Sequence, residues 1–282
     1  MEKIRIKCPA KINLTLEVVN RREDGFHNIK SIMQTVNLYD YLDISINKNN
    51  SEKIILSGQN PEIPYDERNI VYKAVRLFNE ETQKSGYEIK INIEKNIPVS
   101  AGLAGGSTDG AGVLYGLNIL FDNILSKAKL HELCAKLGSD LNVCLEGGCL
   151  LATMRGEKIQ KLKTSDYQLT LIKPKKLGIS AKEAYTKYAS KDVKPQNNMT
   201  EKMIDAINNG KDIKPFLYND LEYAVFEDYK ELQYIKTVQP NAVMSGSGSC
   251  YFVLENLSEN NFSQEYEFIN GLKFVPTGVE VD

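Results

Sequence analysis

The sequence is poor in the residues that build metal sites and disulfide frameworks. It has no tryptophan, two histidines (His27 and His131) and five cysteines, an odd number. No two cysteines form a Cys-x-x-Cys pair, whereas structural zinc sites need several closely spaced cysteine and histidine ligands. We therefore expect no zinc site, and reduced, mostly buried thiols without a catalytic role. The five are Cys8, Cys134, Cys144, Cys149 and Cys250.

A strong charge of one sign and long apolar runs are also missing. The 35 basic and 37 acidic side chains leave a net charge of −2, so there is no electrostatic case for binding nucleic acid or an anionic membrane. No apolar run has the length of a membrane span, and residues 1–7 have no signal-peptide core. These absences predict a cytoplasmic protein. Its 282 residues are enough for two domains or one large one.

Glycine, by contrast, is clustered in a way that indicates an anion site. Residues 98–112 read PVSAGLAGGSTDGAG and lie between a strand pattern over 89–93 and a helix pattern over 113–121. A glycine-rich turn that opens a helix presents free backbone N–H groups at the positive end of the helix dipole, which suits phosphate. The alternative is a flexible loop with a helix N-cap at Ser107 or Thr108.

Two familiar phosphate-binding motifs are excluded by inspection. A P-loop needs Lys and then Ser or Thr after its last glycine, but Gly106 is followed directly by Ser107. The nearest approach to Gly-x-Gly-x-x-Gly is Gly246-Ser-Gly248, where Tyr251 stands in place of the third glycine. A nucleotide bound by residues 98–106 would therefore be bound by another class of loop, in which Gly102, Gly105 and Gly106 let the backbone approach phosphate oxygens.

Strand and helix patterns alternate along the chain. Near residue 160 the composition becomes richer in lysine and poorer in glycine, and we place a boundary there between domains 1–160 and 161–282. The predicted strands are 4–8, 14–18 (with a connection over 9–13), 42–46, 149–154, 169–172 and 251–254, with a closing strand after them. The predicted helices are 70–78, 127–137 with Ser126 as cap and Gly138 as end, 181–189, 199–208 and 228–238.

Several short segments carry polar residues suited to chemistry, although each has a plain structural explanation. Lys11 could be a solvated charge at a strand end, Asp140 a turn residue, and 245–249 an ordinary loop. The segments are Pro9-Ala-Lys-Ile-Asn-Leu14, Asp24-Gly-Phe-His27, Gly138-Ser-Asp-Leu141, Gly147-Gly148 and Met244-Ser-Gly-Ser-Gly-Ser249.

Together and in this order, the segments resemble the GHMP kinase superfamily, which includes galactokinase, homoserine kinase and mevalonate kinase. The resemblance covers nearly the whole chain. It also includes Arg21-x-x-Asp24, Asn69-Ile-Val-Tyr-Lys-Ala74, Pro98-Val-x-Ala-Gly-Leu-Ala-Gly-Gly-Ser107, Arg155-Gly-Glu157 and Asn219-Asp-Leu-Glu222. The Asp-Gly-aromatic-His segment indicates the branch whose alcohol substrate is cytidyl-methylerythritol diphosphate, phosphorylated at its 2-hydroxyl.

The resemblance implies an α+β fold with two domains, mixed sheets with helices packed on one face, and an active site in the cleft between the domains. It implies ATP and Mg²⁺ as cofactors, with Mg²⁺ held by the nucleotide and at most the Ser107 hydroxyl, and a monomer or homodimer. The residues implied for ATP are Asn69, Lys95, Pro98, Val99, Ser100, Ala101, Gly102, Leu103, Ala104, Gly105, Gly106, Ser107 and Thr108.

The resemblance also implies the catalytic and substrate-binding residues. Asp140 would accept the proton of the substrate hydroxyl, with Lys11 beside it. Phe26 and Tyr185 would stack on opposite faces of the cytosine. The residues implied for the substrate are Asn13 on its diphosphate side, His27 at the base edge, Phe26, Tyr185, Gly246, Ser247 and Gly248.

The chain departs from the family pattern after the catalytic carboxylate, where Asp140-Leu-Asn-Val143 replaces the usual Asp-Val-Pro-Phe. Phe26 replaces the more frequent tyrosine, and Ser180-Ala181 stands where Ser-Thr is common. Two other hypotheses remain at this point. One is a kinase of the homoserine or mevalonate type, which gives no reason for residues 24–27. The other is a nucleotide-binding homologue that has lost catalysis, against which the presence of both Lys11 and Asp140 argues.

Overall fold

The computed structural model describes residues 2–191, 198–257 and 261–282. Its strands are β1 (Glu2–Arg21), β2 (His27–Lys48), β3 (Ile54–Gly58), β4 (Tyr87–Glu94), β5 (Cys149–Met154), β6 (Lys158–Lys161), β7 (Gln168–Pro174), β8 (Tyr218–Asn219), β9 (Val243–Met244), β10 (Tyr251–Val253), β11 (Tyr266–Lys273) and β12 (Glu280–Val281). Its helices are α1 (Ile70–Thr82), α2 (Gly105–Leu120), α3 (Lys127–Leu137), α4 (Leu141–Glu146), α5 (Ala181–Ser190), α6 (Met199–Asn208), α7 (Asp220–Val225) and α8 (Lys230–Val238).

The long antiparallel pair of β1 and β2 organises the fold. We predicted two strands with a connection over 9–13, and this prediction is wrong, because β1 runs unbroken through those residues. Apolar side chains occupy every even position from Ile4 to Val18, so the period-two pattern continues across the segment. The pairing of β1 with β2 has three register shifts. Two lie in β1, at Leu14 and Val19, and the third leaves two extra residues of β2 between the partners of Pro9 and Ala10. A bulge of this kind lets a strand accommodate proline.

Two sheets result from this arrangement. In the first, the order is β12-β1-β2-β4-β3; β5 pairs with the first part of β2 and with β6, and β8 runs parallel to β1. The second sheet has the order β11-β7-β10-β9 and comes entirely from residues after 160. Because β8 and β12 also follow residue 160 and yet pair with β1, the two halves share the first sheet. The domain boundary at 160 stays a prediction.

Helices α1 to α4 pack on one face of the first sheet around a core that includes Ile6, Ile44 and Leu114. Helix α2 lies very close to the sheet. A Cβ at Gly112 would overlap the Sγ of Cys8, and one at Gly116 would lie 2.6 Å from a methyl of Ile44. The two glycines therefore let α2 approach β1, and this approach places the start of α2 beside the strand that carries the polar segment 9–14.

Most predicted helices are confirmed within one or two residues, including the Ser126 cap and the Gly138 end of α3. The alternative that placed a helix N-cap at Ser107 or Thr108 is wrong, because Ala104 precedes the helix and no side chain caps it. The sequence patterns did not predict β3, β6, β8, β9, α4 or α7, and they placed only residues 42–46 of β2 in a strand. All five cysteines are free and buried, as predicted. Across the described residues, no helix has the length and apolar character to cross a membrane.

Candidate active site

The first glycine loop, residues 98–106, joins β4 to α2 and ends in the first turn of that helix. Ala104, with a φ of 61°, turns the chain into α2. The N–H groups of Gly105, Gly106 and Ser107 have no carbonyl four residues back inside the helix, so they are available to a ligand. The loop lines a cavity of about 320 Å³, here called the small cavity. The glycine-rich loop does open a helix, as the sequence pattern indicated, and phosphate binding there stays a prediction.

Gly102 is the point at which the first glycine loop meets the second, residues 244–249. Its φ is +76°, and a Cβ there would overlap the carbonyl oxygen of Ser245. The Ser245 hydroxyl donates to the Gly102 carbonyl at 3.1 Å. Gly105 has no positive φ, and a Cβ there would lie 3.1 Å from the Nζ of Lys95. Of the two glycines, therefore, only Gly102 needs glycine for its backbone conformation.

Lys11 and Asp140 form the ion pair that the family resemblance implied. Lys11 Nζ lies 3.4 Å from Asp140 Oδ2, and the two side chains are 3% and 28% exposed. Lys11 also donates to Asn13 Oδ1 at 2.8 Å and to the Gly102 carbonyl at 3.0 Å. Three acceptors thus fix the ammonium group of a buried lysine. Since Asp140 precedes α4 without capping it, the carboxylate is free to face a substrate.

The departure from the family pattern after Asp140 does not disrupt the local fold. Residues 141–146 form α4, with Asn142 in the place where the family usually has proline. The Asn142 side chain donates to the Glu157 carbonyl at 2.8 Å, and its Oδ1 lies 3.1 Å from His131 Nδ1. These contacts fasten the segment that follows Asp140. His131 is thereby accounted for as a structural residue.

A second cavity of about 840 Å³, here called the large cavity, opens beside the Lys11–Asp140 pair. The two cavities meet at Gly102, Ala104 and Ser107, which line both. Four cationic side chains line the large cavity, whereas Asp140 is the one acidic residue among its described lining residues. This excess of positive charge suits a ligand that carries several negative charges. The cations are Lys11, Arg21, Arg155 and Lys182.

Aromatic side chains also line the large cavity. His27 stacks on Tyr185 with ring centroids 5.1 Å apart and an angle of 14° between the planes. Phe26 is 54% exposed, and the guanidinium of Arg155 lies over its ring at 5.2 Å. Burial lowers the pKa of His27, and the positive charge of Arg21 lowers it further, so the imidazole is neutral at pH 7. Phe26 and Tyr185 therefore share one cavity, and a planar group can bind there.

Two residues of the predicted ATP and substrate sets, Thr108 and Gly248, line neither cavity, and a third, Asn69, has its side chain engaged in the fold. Thr108 is completely buried and lines neither cavity. Gly248 also lines neither, and its N–H donates to the Ser245 carbonyl at 2.9 Å. Asn69 lines the small cavity, but its side chain caps α1 by accepting from the Val71 N–H at 2.9 Å. Its second contact, to the Pro64 carbonyl at 2.7 Å, occupies the amide nitrogen.

Lys95 lies beneath the first glycine loop, between two buried carboxylates. Its Nζ pairs with Asp40 and, at 2.8 Å, with Asp109. Asp40 also accepts from the N–H groups of Asn96 and Ile97. Within the described part of the chain, Asp109 Oδ1 has no hydrogen-bond partner. Lys95 and Asp109 line the small cavity at its base, where the lysine charge is already neutralised.

Three basic residues of the large cavity were not among the predicted site residues. Arg21 and Arg155 begin segments that match the family pattern, which was a usable signal, but the spacing did not say where their side chains would lie. Lys182 follows the Ser180 cap of α5, and nothing in the sequence marked it. The fold brings all three to the cavity from β1, the β5–β6 turn and α5.

Comparisons with known proteins identify the family to which this chain belongs. Residues 69–149 match the family model described as the N-terminal domain of GHMP kinases. The crystal structure of homoserine kinase from Cytophaga hutchinsonii superposes with a TM-score of 0.75 over 100% of this chain and 98% of its own, at 17% identity. That identity is low enough that the likeness shows the fold alone.

Two further matches are more specific. A 4-diphosphocytidyl-2-C-methyl-D-erythritol kinase from Caldicellulosiruptor bescii is 41% identical over 88% of each chain. A crystal structure of 4-(cytidine 5'-diphospho)-2C-methyl-D-erythritol kinase has a TM-score of 0.73 and 29% identity, over 89% of this chain and 90% of its own. The chain belongs to the GHMP kinases, in the family of the 4-diphosphocytidyl-2-C-methyl-D-erythritol kinases.

Proposed function

We propose that this protein transfers the terminal phosphoryl group of ATP to the 2-hydroxyl of 4-diphosphocytidyl-2-C-methyl-D-erythritol, in the non-mevalonate pathway to isoprenoid precursors. The observation that carries the proposal is the Lys11–Asp140 pair, which lines the large cavity and whose lysine contacts Gly102, a residue that lines both cavities. One cavity is lined by a glycine-rich helix start, and the other by aromatic rings and cations. A nucleotide phosphate and an anionic nucleotide-like alcohol can therefore meet at one carboxylate.

Phosphoryl transfer requires mainly positioning and stabilisation of charge. In this proposal the first glycine loop holds the ATP phosphates through the N–H groups of Gly105, Gly106 and Ser107. Asp140 accepts the proton of the substrate hydroxyl as the new P–O bond forms, since a carboxylate is a weak base for an alcohol. Lys11 stabilises the negative charge on the transferred group and holds the Asp140 carboxylate beside it.

The residues present fit a magnesium ion that is held chiefly by the nucleotide. Among the residues described, no group of three His, Cys, Asp or Glu side chains could hold a metal by itself. Mg²⁺ in kinases is commonly bound by one or two protein oxygens together with phosphate oxygens and water. The Ser107 hydroxyl, where the two cavities meet, is the proposed protein ligand. The ion would supply positive charge to the phosphate oxygens.

At the substrate end, we assign Phe26 and Tyr185 to the cytosine and His27 to its edge. All three line the large cavity. The His27–Tyr185 stack and the Arg155 guanidinium over Phe26 show that each ring already has one aromatic or cationic neighbour. Asn13 is assigned to the diphosphate side of the substrate, and it has a second role in holding Lys11. Its Oδ1 accepts from Lys11 Nζ, and its Nδ2 donates to the Ser31 hydroxyl at 2.9 Å. It orients the lysine.

We also propose that the enzyme acts in the cytoplasm, which accords with five free, buried thiols. The test is ADP release by purified protein with Mg-ATP and each of three alcohols: the cytidyl substrate, homoserine and mevalonate. We expect release with the cytidyl substrate alone, and a new phosphate monoester at its 2-position by phosphorus NMR. Turnover of homoserine or mevalonate instead would contradict the substrate assignment. ATP binding without ADP release on any alcohol would establish a homologue without catalysis.

A further inference from the structure

The segment Asn219-Asp-Leu-Glu222 matches the family pattern but has no role in the mechanism described above. Its first residue ends β8, which runs parallel to β1 beside Thr15 and Leu16. The next three residues form the first turn of α7. The segment therefore lies between the strand that carries Lys11 and the second glycine loop, and all of its polar side chains are buried.

Asn219 uses its whole amide group. The Nδ2 donates to the carbonyl of Met244 at 2.7 Å and to that of Gly246 at 2.8 Å. The Oδ1 accepts from the N–H of Leu221 at 2.9 Å and so caps α7. Two carbonyls of the second glycine loop are thus held by one side chain, which is itself fixed to a helix.

The two carboxylates of the segment contact different parts of the fold. Glu222 accepts from the Met244 N–H at 2.9 Å and pairs with Lys236 at 3.1 Å. Asp220 accepts from the N–H of Val18, in β1, at 2.7 Å. Asp220 therefore ties the start of α7 to β1, while Glu222, like Asn219, ties it to the second glycine loop.

The second glycine loop in turn contacts the catalytic groups. The Ser245 hydroxyl donates to the Gly102 carbonyl at 3.1 Å, and that carbonyl also accepts from Lys11 Nζ at 3.0 Å. The backbone N–H of Asn13 donates to the Ser245 hydroxyl at 3.3 Å. Gly246 lines the large cavity beside them. The position of this loop therefore bears directly on the position of the Lys11 ammonium group.

We propose that Asn219 and Glu222 are positioning residues for phosphoryl transfer, which hold the second glycine loop so that Ser245 and Gly102 place Lys11 against Asp140. The inference rests on the proposed kinase function. It predicts that loosening the loop slows the chemical step more than it weakens binding, because small misplacements of reacting groups cost rate steeply.

The main variant is Asn219→Ser, which keeps an oxygen that can cap α7 but cannot reach both loop carbonyls. We expect kcat to fall by about 10- to 100-fold, as for a catalytic group displaced by about 1 Å, while KM for ATP and for the cytidyl substrate stays within about threefold. Ser126→Ala is the matched control, since Ser126 caps α3 by accepting from Lys129 at 3.2 Å, outside the cavities. It should lower the melting temperature and leave kcat unchanged.

A double-mutant cycle with Ser245→Ala separates positioning from general stability. If Asn219 acts through Ser245, the double variant loses no more kcat than Asn219→Ser alone. Additive losses, or a folded Asn219→Ser variant with kcat within twofold of wild type, would overturn the inference. Should Asn219→Ser be insoluble, Asn219→Asp serves the same test, because a carboxylate cannot donate to the carbonyls. Wild-type turnover of the cytidyl substrate tests the kinase function separately.

Discussion

Lys11 and Lys95 are equally buried, yet their surroundings differ. Lys95 lies between Asp40 and Asp109, whose side chains are 0% and 4% exposed. Lys11 has one carboxylate partner, Asp140, which opens onto the large cavity, and its other contacts are neutral oxygens. The charge of Lys95 is neutralised inside the protein, whereas the carboxylate partner of Lys11 faces a cavity. This difference supports the proposed division between a structural lysine, Lys95, and a catalytic one, Lys11.

The largest effect should come from removing the charge of the open carboxylate. Asp140→Asn should lower kcat by about 10²- to 10⁴-fold, the range for loss of a general base, and leave binding of ATP and of the cytidyl substrate nearly intact. Steady-state kinetics and calorimetric titration measure the two quantities. Asp43→Asn, which removes a surface partner of Arg5, is the control and should have wild-type kcat. Activity of Asp140→Asn within a few-fold of wild type would mean that Asp140 is not the base.

Replacing each lysine with methionine tests whether Lys11 and Lys95 have different roles. Lys95→Met leaves the buried carboxylate of Asp40 without its cation and should lower the free energy of unfolding by about 3–5 kcal/mol. Lys11→Met should cost less stability, because Asp140 keeps contact with water, but should abolish turnover. Urea denaturation and ADP release measure the two outcomes. If Lys11→Met proved the more destabilising of the two, the division into structural and catalytic lysines would be wrong.

A smaller effect is expected at the aromatic residues that line the large cavity. Phe26→Ala should raise KM for the cytidyl substrate by about 5- to 150-fold and leave KM for ATP unchanged, since stacking on a base is worth about 1–3 kcal/mol. Tyr234→Ala removes another partly exposed aromatic ring, which lines neither cavity, and should alter neither KM. Equal losses for both substrates would place Phe26 in the fold or the ATP site instead.

The smallest expected effect concerns the titration of Asp109, which pairs with Lys95. The pKa of Asp109 is raised to about 8, chiefly by burial. The charge of Lys95 acts to lower this pKa, and the charge of Asp40 acts to raise it. A carboxyl whose pKa is raised in the folded state stabilises the fold while it is protonated, so this contribution is full below pH 4 and is lost as pH rises towards 8 and above. Asp109→Asn removes the titration. Between pH 6 and 7 wild type should lose about 1.4 kcal/mol of unfolding free energy more than the variant does. Parallel pH profiles in urea denaturation would show that Asp109 is ionised.

The longer helices and the first glycine loop could be predicted from the sequence because their signals are local, whereas the six-residue helices α4 and α7 were missed. Helix α3 shows this, with apolar residues at helical spacing, Ser126 as cap and Gly138 at its end. The unbroken course of β1 was missed because Pro9 resembles a strand break when read alone. The pairing with β2, one of whose register shifts lies beside Pro9, is a long-range fact. The two-residue strand β8 has too few residues for any periodic signal.

The residue types of the site were readable from the sequence: a glycine loop before a helix, Lys11, Asp140 and an aromatic-His pair in family order. Which of the two buried lysines would have its carboxylate partner at a cavity could not be derived from local pattern, since Lys11 lies inside β1 and Lys95 directly follows β4. Tertiary structure decided it by enclosing Asp40 and Asp109 beneath the loop and leaving Asp140 at a cavity edge. It also brought Arg21, Arg155 and Lys182 to one cavity. Chemical identity and local periodicity are properties of the chain, whereas burial and charge balance depend on contacts between residues far apart in it.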